Sequence, residues 1–334
     1  MRASHRSLLR GLCACAVLAA SALPGIARAG NADHYPDRPV RVVVGVQAGA
    51  STDTLVRLLG KKLGERLGQQ FVVENRPGAA TRIAMDSVSR AKADGYTLGA
   101  ANAVSASFPL MFDDFAFVPG KDFVPVSIIG RAPSYLAVRA TLPVKNVKEF
   151  IAYAKQHDGK LSYGQGGNGS NPHLAAATLV RSLGVRAVEV GYKGNAPTAL
   201  AVASGEVDFA VLDYASVRPL VEHGNVRLLA VTEPARVALT PDIPTSGEQG
   251  LTRELDGMTP WFMLVAPPGT PAAVVDVLNR QVGDALKAPD VRQLLREAGI
   301  EPESSSVAGA RTYFLQQRER VARVAHDLNI SLKN

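Results

Sequence analysis

Apolar and polar positions along this chain switch repeatedly between the strand period and the helix period. Residues 40–46 (VRVVVGV) are a β-branched run, which predicts a strand buried on both faces. Leu55, Leu59, Leu63 and Leu67 then recur every four residues, with Lys61, Lys62, Glu65 and Arg66 between them. That spacing lays one apolar stripe along a helix over 51–67. A strand at 71–74, a turn at Asn75-Arg76-Pro77-Gly78, a helix over 83–91 and a strand at 96–100 complete a βαβαβ half. Strands at 123–130 and 134–139 follow, separated by the Arg131-Ala132-Pro133 break. A second series then opens with helix 147–156, strand 161–164, helix 172–183, strand 186–191, helix 196–203 and strand 207–212. One more helix–strand pair ends near Val231. Residues 232–258 are polar and punctuated by Pro and Gly. A strand at 261–266 and three helices, over 271–287, 289–298 and 307–327, close the chain.

Two such series imply an α/β fold of two doubly wound domains with a cleft between them, their sheets mostly parallel and covered by helices. Ligands of open α/β sheets sit beyond the carboxyl ends of the strands. The loops singled out by that rule are 47–53, 101–106, 165–172, 192–197 and 213–216.

Charge and cysteine content change the picture at the amino end. Residues 1–10 carry Arg2, Arg6 and Arg10 without an acid, 11–26 are apolar, and Ala27-Arg28-Ala29 follows. This order reads as a secretory signal peptide cleaved after Ala29, which implies a periplasmic protein. Of the 37 Lys and Arg residues, four (Arg2, Arg6, Arg10, Arg28) lie in 1–29, leaving 33 against 30 acidic residues. The net charge then falls from +7 to +3, too little and too dispersed for a nucleic-acid partner. Cys13 and Cys15 leave with the leader, so the remaining 305 residues offer no disulfide, thiol nucleophile or cysteine metal site. About 150 residues per domain makes two domains of that length.

Candidate chemistry concentrates in the strand-to-helix loops. In Gln47-Ala48-Gly49-Ala50-Ser51-Thr52-Asp53, small residues permit close backbone approach, and Ser51, Thr52 or Asp53 is placed to cap the helix. The amides at such a helix start favour an anion; an ordinary tight turn is the alternative. Gly164-Gln165-Gly166-Gly167-Asn168-Gly169 fits G-x-G-x-x-G, with Glu189 twenty residues beyond Gly169, and so satisfies the dinucleotide fingerprint in form. The motif falls in the second series, however, and in an exported chain, so no nucleotide or other cofactor is expected. Ser170 and Asn171 add side-chain donors at the same helix start, and anion binding uses all of these residues. His173 in the first turn is either a packing residue or a ligand contact. Lys193 is either a counter-charge or solvated, and Asp213 either accepts from a ligand or caps the next helix. Trp261 is placed in the core. No H-E-x-x-H pair, P-loop or G-x-S-x-G elbow occurs in the sequence.

Several ordered motifs resemble the tripartite tricarboxylate transporter substrate-binding family, the Bug receptors. They are Tyr35-Pro36-Asp37-Arg38-Pro39-Val40, Val73-Glu74-Asn75-Arg76-Pro77-Gly78-Ala79 and Asp94-Gly95-Tyr96-Thr97-Leu98. Gly167-Asn168-Gly169-Ser170 with His173, Tyr192-Lys193-Gly194, Pro241-Asp242-Ile243-Pro244-Thr245 and Gly269-Thr270-Pro271 continue the series. The resemblance implies a type II periplasmic binding fold, not an enzyme, that closes two lobes over a carboxylate and delivers it to a membrane permease. It implies chain crossings near 131 and 256, so that lobe 1 takes 30–130 plus 257–334 and lobe 2 takes 131–256. It also implies that backbone and hydroxyl donors of the 47–53 and 167–171 loops hold the ligand. The candidate contacts are Gln47, Ala48, Gly49, Ser51, Thr52, Asn102, Ser105, Gly167, Asn168, Gly169, Ser170, Asn171, His173 and Asp213.

The sequence departs from the family pattern in three loops. The first usually reads like V-P-F-P-P-G-G-x-x-D, and here the aromatic and the prolines are replaced by Val44-Gly45-Val46-Gln47-Ala48-Gly49-Ala50-Ser51-Thr52-Asp53. Ala100-Ala101-Asn102-Ala103-Val104-Ser105 stands in place of a Gly/Ser/Thr-rich loop, and Tyr214 follows Asp213 where Asn is usual. A dicarboxylate, an aromatic carboxylate, an amino acid and an amide all fit this reading. A monomeric receptor is the leading expectation, with a periplasmic partner of a membrane histidine kinase and an exported α/β enzyme as its rivals.

Overall fold

The computed structural model describes residues 34–333; the expected leader and both cysteines lie outside them. Ten strands form two five-stranded sheets. In the first, β1 (Val40–Val44), β2 (Phe71–Asn75), β3 (Thr97–Asn102), β4 (Val124–Arg131) and β10 (Trp261–Ala266) take the order β2-β1-β3-β10-β4. The second sheet holds β5 (Ser134–Arg139), β6 (Leu161–Gln165), β7 (Ala187–Gly191), β8 (Phe209–Asp213) and β9 (Val226–Val231), in the order β7-β6-β8-β5-β9.

Within each sheet four strands share one direction and the fifth opposes them. β1 is parallel to β2 and β3, while β10 runs antiparallel to β3 and β4. Likewise β6 is parallel to β7 and β8, while β5 runs antiparallel to β8 and β9. The opposed strands are those that enter from the other sheet's half of the chain. Hydrophobicity alone does not encode their direction, because a strand buried on both faces reads the same either way.

Helices cover both faces. α1 (Ser51–Leu67), α2 (Arg82–Ser89), α3 (Phe108–Met111), α4 (Val147–Gln156) and α5 (Asn171–Leu183) come first in the chain. α6 (Asn195–Ser204), α7 (Tyr214–Glu222), α8 (Ala272–Lys287), α9 (Pro289–Glu297) and α10 (Val307–Asp327) complete the set. Leu55, Leu59 and Leu63 of the α1 stripe are buried with β1, α8 and α9 in one cluster. The opposite face of that sheet packs Met85, Phe108, Phe117, Phe123, Trp261 and Phe314. Trp261 is thus a core residue, edge-on to Tyr313 at 5.7 Å and to Phe314 at 5.9 Å between ring centres. The second sheet has its own two clusters, one with α4 and α5 and one with α6 and α7. Val321, Val324 and Ala325 of α10, and Leu332 beyond it, pack in the first of these.

The chain passes from β4 to β5 through residues 132–133 and returns through residues 232–260. The two passages are bonded to each other: Ala132 N–H donates to Pro260 O (2.8 Å), and the Thr259 hydroxyl to Ala132 O (2.6 Å). No described helix is long and apolar enough to cross a membrane.

Candidate functional site

The loops beyond the strand ends are built by local hydrogen bonding that the sequence partly encodes. α1 begins at Ala50 with no side-chain cap, so none of Ser51, Thr52 and Asp53 takes the expected capping role. Asp53 instead turns back and accepts from Gly49 N–H at 2.9 Å, one residue ahead of the N-cap Ala50, and so ties down the entry to the helix. Arg57 donates to Asp53 (3.0 Å) and to Asn75 Oδ1 (2.8 Å), and Asn75 Nδ2 donates to Asp53 (2.8 Å) and Val46 O (3.0 Å). Burial works against ionisation of Asp53, but the bonds from Arg57, Gly49 and Asn75 hold its carboxyl below the usual carboxylate range. Gln47, Ala48 and Gly49 are left exposed on this clamp. Thr54 N–H makes the first helical bond, to Ala50 O (2.9 Å), which leaves the amides of Ser51, Thr52 and Asp53 ahead of the ladder.

After β3 the chain forms a 3-10 turn, Ala103–Ser107. Ser105 is buried and internal: its hydroxyl accepts from Asn102 N–H (3.2 Å) and donates to Asn102 O. Asn102 Oδ1 is buried without a hydrogen-bond partner among the described residues.

The β6–α5 loop is the most heavily bonded. Gly167 N–H donates to Gln165 Oε1 (2.6 Å), Gly169 N–H to His173 Nδ1 (2.9 Å), and Ser170 N–H to Gly167 O (3.1 Å). Ser170 caps α5 by accepting from His173 N–H (3.3 Å), which keeps its hydroxyl proton available to a ligand. The amides of Asn168 and Asn171 have no acceptor among the described residues. Their side chains are engaged: Asn168 Nδ2 donates to Ser331 O (3.0 Å) and Asn171 Nδ2 to Thr259 O (2.7 Å). His173 is buried, and because Nδ1 accepts from Gly169, Nε2 donates to Glu189 (3.3 Å). It positions the loop.

The remaining two loops form one unit. Asp213 caps α7 by accepting from Ser216 N–H (3.0 Å) and the Ser216 hydroxyl (2.9 Å), and it also accepts from Asn195 Nδ2. Its oxygens are thus occupied by the protein. Lys193 is exposed and makes no ion pair among the described residues. The fingerprint glycines have packing reasons. A Cβ on Gly166 would strike Asn195, and Gly169 has φ +70 with Leu332 against it. Glu189, the would-be ribose acid, accepts from the Tyr163 hydroxyl (2.5 Å) and His173. Sequence reasoning missed Gln165, Asn195 and the Arg57–Asn75 clamp. An Arg four residues after Asp53 was the one legible signal, since such pairs meet on a helix face. No metal-binding cluster of His, Cys, Asp and Glu occurs among the described residues.

A family model described as "Tripartite tricarboxylate transporter family receptor" matches residues 55–330. Protein BugT of Bordetella pertussis is 30% identical over 315 residues, covering 93% of this chain and 96% of BugT. Two solved structures from Rhodopseudomonas palustris are also similar. Rpa4515 with adipate has 34% identity and a TM-score of 0.76, over 90% of this chain and 100% of that one. MatC with bound malate has 30% identity and a TM-score of 0.69, over 88% and 100%. The family model takes in nine of the ten described strands and every loop described above except β1–α1, and the chain therefore belongs to the tripartite tricarboxylate transporter receptor family, the Bug receptors.

Proposed function

We propose that this chain is a periplasmic solute-binding receptor that captures a small carboxylate by closing two lobes over it. The observation that carries the reading is the donor set left over at the starts of α1 and α5, one helix against each sheet. The Ser170 hydroxyl with the amides of Asn168 and Asn171 belongs to one sheet, and the amides of Ser51, Thr52 and Asp53 to the other. Donors from both halves fit a ligand anionic at both ends, and burying such an anion requires several convergent donors. Adipate on Rpa4515 and malate on MatC support a dicarboxylate over an aromatic acid or an amide.

Sheet membership supports lobe 1 as 30–130 plus 257–334 and lobe 2 as 131–256, with the end of α10 leaning on lobe 2. The signal peptide over 1–29 belongs to the same reading, as does action as a monomer without a chemical step. A transporter receptor implies delivery to a membrane permease, which favours that partner over a sensor kinase.

Native mass spectrometry of residues 30–334, followed by calorimetric titration with adipate and malate, tests the reading. A bound dicarboxylate, or a saturable heat with either compound, is the expected result. Conversion of either compound, in place of its stoichiometric and unaltered recovery, would sink it in favour of an enzyme.

A further inference from the structure

Where the chain passes between the two sheets, one cation is shared by two carboxylates. Arg131 ends β4, and Glu233 follows β9 on the return passage. The Arg131 guanidinium donates to Glu233 Oε2 at 3.0 Å and pairs through Nε with Glu303 at 2.6 Å. Its backbone is fixed by a reciprocal pair with Glu301, at 2.9 and 2.8 Å. Thr232 N–H donates to Ser134 O and Gly257 N–H to Thr232 O, both at 2.8 Å, so Glu233 is held against both passages. Its side chain is 3% exposed, and its Oε1 is buried with no partner among the described residues.

The other groups facing Glu233 offer no second cation. Arg320 of α10 donates to Asp256 O (2.6 Å), and Asp256 accepts from the Ser246 hydroxyl (3.3 Å). Glu301 accepts from Arg296 (3.3 Å) and Leu239 N–H (2.6 Å). Tyr313 of α10 and Tyr135 of β5 bring only neutral hydroxyls, that of Tyr313 buried and without a partner among the described residues. The Thr259 hydroxyl draws the Glu233 carboxyl down, but its proton goes to Ala132 O at 2.6 Å. A buried carboxylate oxygen with no donor is costly, whereas the protonated acid is tolerated.

We propose that Glu233 is the proton-binding group of the interlobe hinge: the conformation that buries it takes up a proton, and hinge opening, which hydrates it, releases that proton. The geometry ties Glu233 to both passages at once, so a rotation about them acts directly on its surroundings. Burial first, and Glu303 in addition, push its carboxyl up to about 7 against the opposing pull of Arg131. Closure then takes up a proton between the carboxyl's hydrated range and about 7, and acidification favours the closed form. The proposal rests on the reading of this chain as a closing receptor.

The test is the interlobe distance in the ligand-free exported protein, measured by electron–electron double resonance between spin labels on Lys61→Cys and Lys155→Cys. The ratio of short- to long-distance populations should rise about tenfold from pH 8 to pH 6, the linkage expected of one group titrating near 7. Glu233→Gln should hold the ratio at its low-pH value throughout, and Glu303→Gln should move the transition to lower pH. An equal ratio at both pH values, a pH dependence that survives Glu233→Gln, or an unmoved transition in Glu303→Gln would each overturn the proposal. Calorimetry with adipate on the same samples separates the two ideas: failure to bind would count against the receptor reading and leave the distance result standing.

Discussion

Ser170 and Asp213 show how two side chains in similar positions come to differ in role. Both cap a helix at the carboxyl end of a strand in the second sheet. Ser170 accepts one cap bond and retains a hydroxyl proton, whereas Asp213 accepts from Ser216 twice and from Asn195. Ser170→Ala should weaken dicarboxylate binding by about 0.5–1.5 kcal/mol, the net value of one hydrogen bond, and cost about 1 kcal/mol of stability through the lost cap. Asp213→Ala should destabilise by about 1–2 kcal/mol with a smaller change in affinity. Calorimetry paired with urea unfolding separates the two effects. An affinity loss for Asp213→Ala larger than that for Ser170→Ala would reverse the assignment of roles.

At the scale of the element, the β1–α1 loop depends on the Asp53–Arg57–Asn75 clamp, and its pH dependence has a definite sign. The folded-state carboxyl of Asp53 lies below its ordinary range, so its contribution to stability is present above the unfolded value and is lost as pH falls through the folded one. Asp53→Asn should lower the urea midpoint at pH 7 and narrow the difference between pH 7 and pH 3. A mutant that keeps the full wild-type acid sensitivity would remove Asp53 from the clamp. The α1 helix itself was legible, because Leu55, Leu59 and Leu63 share one face at the four-residue period and are buried together. Its cap was not: Ser51, Thr52 and Asp53 all offer capping oxygens, and only the surrounding Arg57 and Asn75 decide that Asp53 folds back to Gly49. The direction of β5 and β10 was equally hidden, since it depends on which half of the chain a strand comes from. The site followed the same division. The loops were found from strand-end position, while Glu189 on His173, Thr259 on Asn171 and Asn195 on Asp213 come from 16 to 88 positions away, beyond the reach of any local pattern.

At the scale of the whole molecule, the two halves are joined by more than their two chain passages. α10 begins against the first sheet, where Phe314 packs with Phe123, and ends in the second core with Val321, Val324 and Ala325. The residues after it continue across the second half: Leu332 is buried, and Ser331 O accepts from Asn168 in the β6–α5 loop. Lys333 then returns to the first half, reaching Asp113 beyond α3 at 2.7 Å. That last pair is well exposed on both sides and contributes little by itself; the buried leucine carries the attachment. Leu332→Ala should therefore cost about 2–5 kcal/mol, as expected for a large-to-small change in a packed site. It should also loosen the loop that presents Ser170, because Gly169 is in contact with Leu332. Lys333→Ala should change neither property measurably. Hydrogen exchange at the loop amides, read beside the urea midpoint, distinguishes the outcomes. Faster exchange at 167–170 in Leu332→Ala, with Lys333→Ala unchanged, would place the tail among the supports of the binding loop. A lower midpoint with unaltered exchange there would confine its role to the second core.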